Sequence, residues 1–163
     1  MRIGNDIVDV KRFLALIGNK RFLDRVFSKE EQEHIFSMKE KQKEAERMAG
    51  KFAAKESVAK ALGLGISGGV NFLGIVVLPD KEGAPKVTLF DETLALFQKN
   101  GFKEIEVSIS NTSEYATAVC IINWIFFAFL QNLTRKFSEN FLLFLFFGFK
   151  KPFGGINYYV WKL

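Results

Sequence analysis

The sequence predicts an α+β fold in which helices pack on a small antiparallel sheet, because the hydrophobic period changes along the chain. In the first half, residues 44–62 are rich in Ala and Lys, and their apolar residues recur at helical spacing. In the second half, short apolar runs are separated by turns that contain Gly and Pro. Helices followed by neighbouring strands are typical of the α+β class.

The N-terminal part is expected to contain a strand and then helices. Residues 2–10 place apolar residues around acids and predict a short strand. Residues 11–27 mix apolar and basic residues and predict helix and loop. Ser28 and Glu31 form a capping-box pattern, in which each side chain can bond the other residue's backbone amide. A helix is therefore expected over Lys29–Phe36.

The longest helix is expected over Glu44–Leu62, ending at Gly63. The charged run 37–47 before it is interpreted as a solvated connection. His34 lies on the preceding charged helix with no partner pattern around it, and it is interpreted as a surface residue.

The second half is expected to hold four strands and one helix. A turn over Pro79–Pro85 joins the first two strands, and a turn over Asn111–Tyr115 joins the last two. Strands are predicted over residues 71–78, 86–90, 105–110 and 116–122, and a helix over residues 91–100.

Glu56 is the most informative residue of the long helix, because it falls within the apolar stripe at about 100° per residue. Lys51, Lys55 and Ser57 are expected to point elsewhere. A lone carboxylate is costly to bury unless it is paired or binds a metal. Lys60, one turn on, would make an ion pair, whereas a divalent metal shared with a second acid is the alternative, and the helix alone leaves both open. The stripe comprises Ala45, Met48, Ala49, Phe52 and Ala59.

Charge and aromatic residues are concentrated towards the C-terminus. Residues 125–163 carry five basic residues and one acid, whereas residues 1–124 carry 18 and 17. Ten of the 19 Phe also lie in residues 125–163. The net charge of +5 therefore gives no indication that the main domain binds nucleic acid, and no such partner is expected.

The chain is expected to divide into a domain over residues 1–123 and a Phe-rich, basic tail over residues 124–163. The apolar run 116–130 is shorter than the roughly 20 residues of a membrane-spanning helix. An appendage is therefore favoured over a membrane anchor. Cys120 is the only cysteine and is expected to be a buried small hydrophobe. This cysteine usage, with no apolar signal at residues 1–10, favours a cytoplasmic location.

Three segments match the motifs of one known family in order and spacing. Residues 3–9 (IGNDIVD) are similar to an opening motif G-x-D-[IV]. Residues 49–63 (AGKFAAKESVAKALG) are close to the long signature A-G-R-F-A-x-K-E-A-x-x-K-A-x-G. Residues 107–112 (VSISNT) resemble a late V-S-[IL]-[ST]-H strand. The chain thus resembles the holo-acyl-carrier-protein synthases, the small bacterial 4′-phosphopantetheinyl transferases, over residues 1–122, and the metal interpretation of Glu56 becomes the favoured one.

The resemblance implies an enzyme that transfers 4′-phosphopantetheine from coenzyme A to a serine of apo acyl carrier protein, releasing 3′,5′-ADP for fatty-acid biosynthesis. It also implies a phosphopantetheinyl transferase fold. Attack on a pyrophosphate requires that its negative charge is neutralised and that the reacting atoms are held in line. A Mg²⁺ ion bound by oxygen ligands of the protein would neutralise this charge.

Carried over by position, Asp6 and Glu56 are the implied metal ligands, and Glu56 and Lys60 are the implied catalytic residues. Asp9 is interpreted as a solvated or capping acid. Glu56, or water on the metal, would take the serine proton, and the sequence does not choose between them. The implied coenzyme-binding residues are Lys51, Phe52, Lys60, Gly63, Asn111 and Thr112.

Two positions depart from the family pattern. Asn111 stands where the family carries histidine; it can still donate a hydrogen bond but cannot carry charge at neutral pH. Lys51 stands where the family usually has arginine, and it loses the bidentate geometry for phosphate. Weaker binding of coenzyme A with intact metal binding is expected.

The implied partners are apo acyl carrier protein and further copies of the chain. A basic cluster of Arg12, Lys20, Arg21 and Arg25 lies where family members dock the acidic helix of the carrier protein, and it would speed encounter. Family members of this length usually form trimers with the active site between subunits. The alternative to an active enzyme is an impaired homologue that binds carrier protein or coenzyme A, with membrane contact through the tail.

Overall fold

The structure is a computed structural model that describes residues 1–65 and 68–124. The predicted tail lies outside these residues apart from Trp124, and the predicted division of the chain stays a prediction. The elements in chain order are β1 (Arg2–Asp9), α1 (Val10–Leu14), α2 (Lys20–Val26), α3 (Lys29–Phe36), α4 (Lys41–Leu62), β2 (Ile75–Pro79), β3 (Pro85–Leu89), α5 (Asp91–Lys99), β4 (Glu104–Asn111) and β5 (Tyr115–Asn123).

The strands form two antiparallel sheets. One sheet has the order β1-β5-β4, with Gly4 of β1 opposite Cys120 of the central strand β5. The other is the β2–β3 hairpin. The expected α+β class is confirmed. The four strands of the second half do not form a sheet of their own, because β5 pairs with the N-terminal strand, and no local pattern predicts so distant a pairing.

Helix α4 packs against the three-stranded sheet, and small side chains allow the close approach. Ala54, Val58 and Ala61 of α4 lie in the same core cluster as Ala118 and Cys120 of β5. At Gly4 of β1, an added Cβ would lie 2.0 Å from the carbonyl oxygen of Ser57. Only glycine permits this contact, which brings β1 directly onto α4.

Cys120 is buried as expected, and burial raises the pKa of its thiol to about 12. It therefore behaves as a small apolar residue in the core rather than as a reactive thiolate.

Several local predictions are confirmed and others are corrected at their boundaries. The capping box of α3 forms: Glu31 N donates to Ser28 Oγ at 3.3 Å, and Ser28 N donates to Glu31 Oε2 at 2.9 Å. Helix α4 begins at Lys41 rather than at residue 44, and Glu46 is buried. The charged run 37–47 is therefore not simply a solvated connection. The strand predicted from residue 71 begins only at Ile75, after a turn closed by Asn71.

The burial pattern of α4 differs from the expected stripe. From Met48 to Leu62 every residue is buried except Glu56, which is half-buried, and Lys60, which is exposed. Lys51 and Lys55 were expected to point elsewhere, and both are buried. Other elements pack against this part of α4 on nearly all sides. Glu56 is therefore one of the few positions that solvent reaches, and it does not lie at the centre of a buried face. None of the helices among the described residues combines the length and the hydropathy that a bilayer span requires.

Candidate active site

Two cavities border α4 on different sides. The larger, of about 760 Å³, is lined by Glu56 and Phe52 and is called the Glu56 cavity. The smaller, of about 260 Å³, is lined by Lys51 and Asn111 and is called the Lys51 cavity. Lys51 and Glu56 are five residues apart, which places them about 140° apart around the helix. The predicted site residues therefore divide between two places in one chain.

Asp6 and Glu56 form a pair of incompletely neutralised acids beside α4. The Asp6 side chain is 15% exposed, its Oδ1 accepts from Lys60 Nζ at 2.9 Å, and its buried Oδ2 has no hydrogen-bond partner among the described residues. Burial, and then the negative charge of Asp6, raises the pKa of the Glu56 carboxyl, while Lys60 and Arg12 act in the opposite direction. The net result is that ionised Glu56 is disfavoured until more positive charge is supplied.

Lys60 contacts Asp6 and not Glu56. Its Nζ donates to Asp6 Oδ1 and to the carbonyl oxygen of Asn5, both at 2.9 Å. A Glu56–Lys60 ion pair is not among those formed within the described residues. The simple intrahelical pair, which was one of the two interpretations of Glu56, is therefore wrong.

The acid pair fits a hard divalent cation. An unpartnered buried carboxylate oxygen and a second carboxylate of raised pKa are the groups that a cation would stabilise. Mg²⁺ accepts one or two carboxylates and fills its remaining positions with water and substrate phosphate. No cluster of three or more His, Cys, Asp or Glu suited to a metal occurs in the part of the chain that the structure describes. Asp6 and Glu56 would thus be the two protein ligands.

Asp9, the third acid of this region, has a local role. Its Oδ1 accepts from Lys11 N at 2.7 Å and caps α1, as the capping interpretation expected.

The predicted docking arginines lie around the Glu56 cavity. Arg12, Arg21 and Arg25 all line it. The Arg12 guanidinium lies 5.4 Å from the centroid of the Phe52 ring, a cation–π contact that holds its charge near the cavity. Lys20 of the predicted cluster is instead exposed and paired with Asp24 at 2.9 Å. Three of the four predicted docking residues therefore line the Glu56 cavity, and Lys20 does not.

Phe52 belongs to an aromatic cluster at the wall of the Glu56 cavity. Its ring centroid lies 5.3 Å from that of Phe13 and 5.2 Å from that of Phe72. It is nearly buried, so its position fits both a core role and an edge contact with a ligand in the cavity.

Lys51 and Asn111 lie in the Lys51 cavity. The Lys51 ammonium donates to the carbonyl oxygen of Val77, and burial lowers the pKa of this lysine to about 8. Asn111 Nδ2 donates to Glu46 Oε2 at 3.2 Å. His34 also lines this cavity and is half-buried, so its interpretation as a surface residue is wrong.

Gly63 and Thr112, two further predicted coenzyme residues, have local structural roles. Gly63 ends α4 in the left-handed conformation at φ 82°, which a residue with a Cβ adopts at a cost. Thr112 Oγ1 accepts from the backbone amides of Glu114 and Tyr115 and closes the β4–β5 turn. Neither residue lines the Lys51 cavity or the Glu56 cavity.

The structure also contains a buried ion pair between Lys55 and Glu31, which the sequence did not predict. Lys55 Nζ donates to Glu31 Oε2 at 2.8 Å and to the carbonyl oxygens of Phe72 and Ile75, and both charged side chains are fully buried. Glu31 Oε1 accepts from Val77 N at 2.9 Å. The capping-box pattern indicated one of the bonds of Glu31, but no sequence signal links it to a lysine 24 residues away.

Comparisons with known proteins identify the family. The family model of the 4′-phosphopantetheinyl transferase superfamily matches residues 2–120. The chain belongs to this superfamily. The expected family and enzyme class, holo-acyl-carrier-protein synthase, are thereby confirmed.

Two of the similar proteins carry the same name, and each aligns with this chain over nearly its whole length. The holo-[acyl-carrier-protein] synthase of Blochmanniella pennsylvanica is 37% identical over 120 residues, covering 74% of this chain and 95% of that protein. That of Protochlamydia amoebophila is 41% identical over 119 residues, covering 73% and 94%.

Solved structures of such synthases share the fold. The Helicobacter pylori enzyme in complex with coenzyme A matches with a TM-score of 0.64 and 30% identity, covering 74% of this chain and 99% of that one. The Bacillus anthracis enzyme in complex with CoA (3′,5′-ADP) matches with a TM-score of 0.63 and 29% identity, covering 76% and 96%. The expected transferase fold is confirmed.

Proposed function

We propose that this transferase moves 4′-phosphopantetheine from coenzyme A to a serine hydroxyl of apo acyl carrier protein, with Mg²⁺, in the fatty-acid biosynthesis of the cytoplasm. The observation that carries the proposal is the pair of under-neutralised acids, Asp6 and Glu56, of which Glu56 lines a cavity together with three arginines. The coenzyme-bound structures of the Helicobacter pylori and Bacillus anthracis enzymes support the donor.

The reaction is a phosphoryl transfer to an alcohol. The serine oxygen forms a bond to the phosphorus that carries the pantetheine arm, the bond from that phosphorus to the bridging oxygen breaks, and 3′,5′-ADP leaves with that oxygen. Bound Mg²⁺ would neutralise charge on the pyrophosphate.

Glu56 and Lys60 have complementary roles in this proposal. Lys60 is 51% exposed on its side chain and lies beside Asp6, so its ammonium can reach substrate phosphates without leaving the acid cluster. Glu56 lines the cavity, and its carboxylate, which a bound cation would hold ionised, can accept the serine proton. Both residues project from one turn of α4, which holds them at a fixed separation.

The separation of the two cavities supports a homotrimer with shared sites. In one chain the Lys51 cavity and the Glu56 cavity lie on different sides of α4, so a coenzyme that contacts Asn111 and reaches Glu56 needs two subunits. The sheet also presents exposed apolar residues, Ile7 of β1 (65% exposed) and Val119 of β5 (40% exposed). Apolar side chains on one sheet face suit burial between identical subunits.

The arginines around the Glu56 cavity support docking of an acidic carrier protein. Arg12, Arg21 and Arg25 place three positive charges at the cavity that also holds Glu56. Such a rim attracts a negatively charged partner towards the reacting acid and loses strength with salt.

A transfer assay tests the proposal directly. Coenzyme A with a labelled pantetheine arm and apo acyl carrier protein should give labelled carrier protein and 3′,5′-ADP in equal amounts with Mg²⁺, and neither product with excess chelator. Native mass measurement of the same sample should give three times the chain mass. Failure to label any apo carrier protein in the presence of Mg²⁺ would refute the proposed activity.

A further inference from the structure

Asn71 lies on the wall of the Glu56 cavity, in the segment that connects α4 with β2. Its Oδ1 accepts from Gly74 N at 2.5 Å, which closes a turn of the backbone. Because only the oxygen of the amide group can accept from this N–H, Nδ2 points away from Gly74. Nδ2 has no acceptor among the described residues. Asn71 therefore has a hydrogen-bond donor that the turn orients but does not use.

The turn that carries Asn71 is held from two sides. Lys55 Nζ donates to the carbonyl oxygen of Phe72 at 2.8 Å, and Phe90 N donates to the carbonyl oxygen of Gly74 at 2.9 Å. Lys55 is itself fully buried, so the first of these bonds is shielded from solvent. The backbone next to the asparagine is thus fixed before a ligand binds, and the donor is preorganised.

Aromatic rings connect Asn71 with Glu56. Phe72, its neighbour in the chain, packs on Phe52 with the ring centroids 5.2 Å apart. Phe52 lies four residues before Glu56, on the same side of α4. All four residues line the Glu56 cavity. The cavity wall therefore leads from the reacting acid over two apolar rings to a neutral donor.

The second asparagine of this lining, Asn19, lies among the arginines. It caps α2, where its Oδ1 accepts from Phe22 N at 3.1 Å, and the same helix carries Arg21 and Arg25. This part of the cavity suits a negatively charged partner, as proposed for the carrier protein. Asn71 and the two rings beside it carry no charge, and they suit a neutral, partly apolar ligand.

The proposed reaction brings such a ligand into the cavity. The phosphorus that the serine attacks lies beside Glu56, and the pantetheine arm of coenzyme A begins at this phosphorus. The arm is an uncharged chain in which amide groups alternate with short apolar segments, and its amide carbonyl oxygens accept hydrogen bonds. The cavity volume of about 760 Å³ is within the roughly 300–1,000 Å³ that encloses a small molecule, so it has room for the arm.

We infer that Asn71 binds the pantetheine arm of coenzyme A by donating from Nδ2 to one of its amide carbonyl oxygens. The inference rests on the proposed function, because that function places the start of the arm at Glu56. Asn71 then determines specificity for the donor substrate: it strengthens the binding of coenzyme A and contributes nothing to the binding of a nucleotide that lacks the arm.

Two ligands isolate the contribution of the arm. Adenosine 3′-phosphate 5′-diphosphate is coenzyme A without its pantetheine arm, and calorimetry with Mg²⁺ and without carrier protein measures the Kd of each ligand. Asn71→Ser keeps an oxygen that can accept from Gly74 N and removes the amide donor. This variant should bind coenzyme A about fivefold more weakly, as the loss of one neutral hydrogen bond does. It should bind the nucleotide without the arm as tightly as the wild type does.

Two further variants control for effects on structure and charge. Asn100→Ser is the matched control, because Asn100 is exposed at the end of α5 and does not line the cavity; it should leave both Kd values unchanged. Asn71→Asp keeps the oxygen that accepts from Gly74 N and places a second acceptor where Nδ2 was. The ratio of the Kd for coenzyme A to that for the nucleotide without the arm should rise further than in Asn71→Ser.

Equal weakening of both ligands by Asn71→Ser would overturn the inference, because the residue would then shape the site without contacting the arm. An unchanged Kd for coenzyme A would overturn it as well. If KM for carrier protein rose instead, the acceptor would be a carbonyl oxygen of the carrier protein. Labelling of carrier protein by the wild type tests the transfer separately: a protein that shows the expected Kd changes but labels no carrier protein would refute the transfer and leave the contact with the arm standing.

Discussion

Lys55 and Glu56 are neighbours on α4, and their charges are balanced in opposite ways. Lys55 is fully buried with three acceptors: a carboxylate oxygen of Glu31 and the carbonyl oxygens of Phe72 and Ile75. Glu56 is half-buried next to a second acid, Asp6, whose Oδ2 lacks a partner among the described residues. Lys55 and its acceptors, called the complete cluster, join α3, α4 and β2. Asp6 and Glu56 form the incomplete cluster, and Glu56 lines the cavity that bears its name. A buried charge whose hydrogen bonds are all formed stabilises the fold, whereas a charged group without a partner indicates a candidate ligand site.

The largest expected effect is on the complete cluster. Lys55→Met leaves the buried Glu31 carboxylate without its cation, so the free energy of unfolding should fall by about 3–5 kcal/mol. Lys60→Met is the matched control on the same helix, because the exposed Lys60–Asp6 pair is worth about 1 kcal/mol or less. Urea denaturation measures both variants. If both substitutions lowered the free energy of unfolding by similar amounts, the two clusters would not differ in their contribution to stability.

The next effect concerns the incomplete cluster. Glu56→Gln should lower kcat by about 100- to 1,000-fold, as the loss of one electrostatic contact to the transition state does. The fold should be unaffected or slightly stabilised, since the raised pKa of Glu56 shows that its charge is disfavoured in the folded protein. Pantetheine transfer and thermal unfolding are the measurements.

Glu44→Gln provides the control for this variant, as the same substitution at another half-buried position of α4. It should leave transfer unchanged. Full transfer activity of Glu56→Gln would remove Glu56 from the site.

A smaller effect is expected at the rim of the Glu56 cavity. The double variant Arg12→Glu, Arg21→Glu should raise KM for carrier protein about tenfold at low salt and less at high salt, because exposed charges are screened. KM for coenzyme A should stay the same. Lys20→Glu should have little effect, because Lys20 is paired with Asp24 away from the cavity lining. Equal effects of Lys20→Glu and the double variant would show that only net charge matters.

The smallest effect is expected on the other side of α4. Asn111→His adds a group that can carry charge in the Lys51 cavity, and KM for coenzyme A should fall a few-fold, by about the net worth of one hydrogen bond. The Mg²⁺ activation curve should not move, since Asn111 is not in the Glu56 cavity. An unchanged or raised KM would argue against a contact between residue 111 and the coenzyme.

The sequence predicted the parts of the fold that depend on local pattern. The capping box at Ser28 and Glu31, the end of α4 at Gly63 and the β4–β5 hairpin all follow from short-range rules of helix capping and turn formation. The pairing of β1 with β5 does not, because its register depends on the contact of Gly4 with Ser57 across the core.

The candidate site was predicted in its residues and not in its arrangement. The motifs named Asp6, Glu56 and Lys60, and the structure brings these three together. They gave no sign that Lys60 would bond Asp6 instead of Glu56. Helical spacing predicted that α4 buries one face only. In the structure nearly every side of its C-terminal part is buried, so Lys51 and Lys55 are buried against expectation.

Motif spacing and hydrophobic period are properties of neighbouring residues, so the family, the α+β class and the identity of the acids could be predicted from the sequence. Which charges are satisfied depends on contacts between distant elements. Whether Glu31 meets Lys55, whether Asp6 Oδ2 finds a donor and whether His34 faces Lys51 and Arg47 depends on elements distant in the chain. The energy of a charge is set by burial and by its neighbours in space, and those neighbours come from the packing of β1, α3 and β2 around α4.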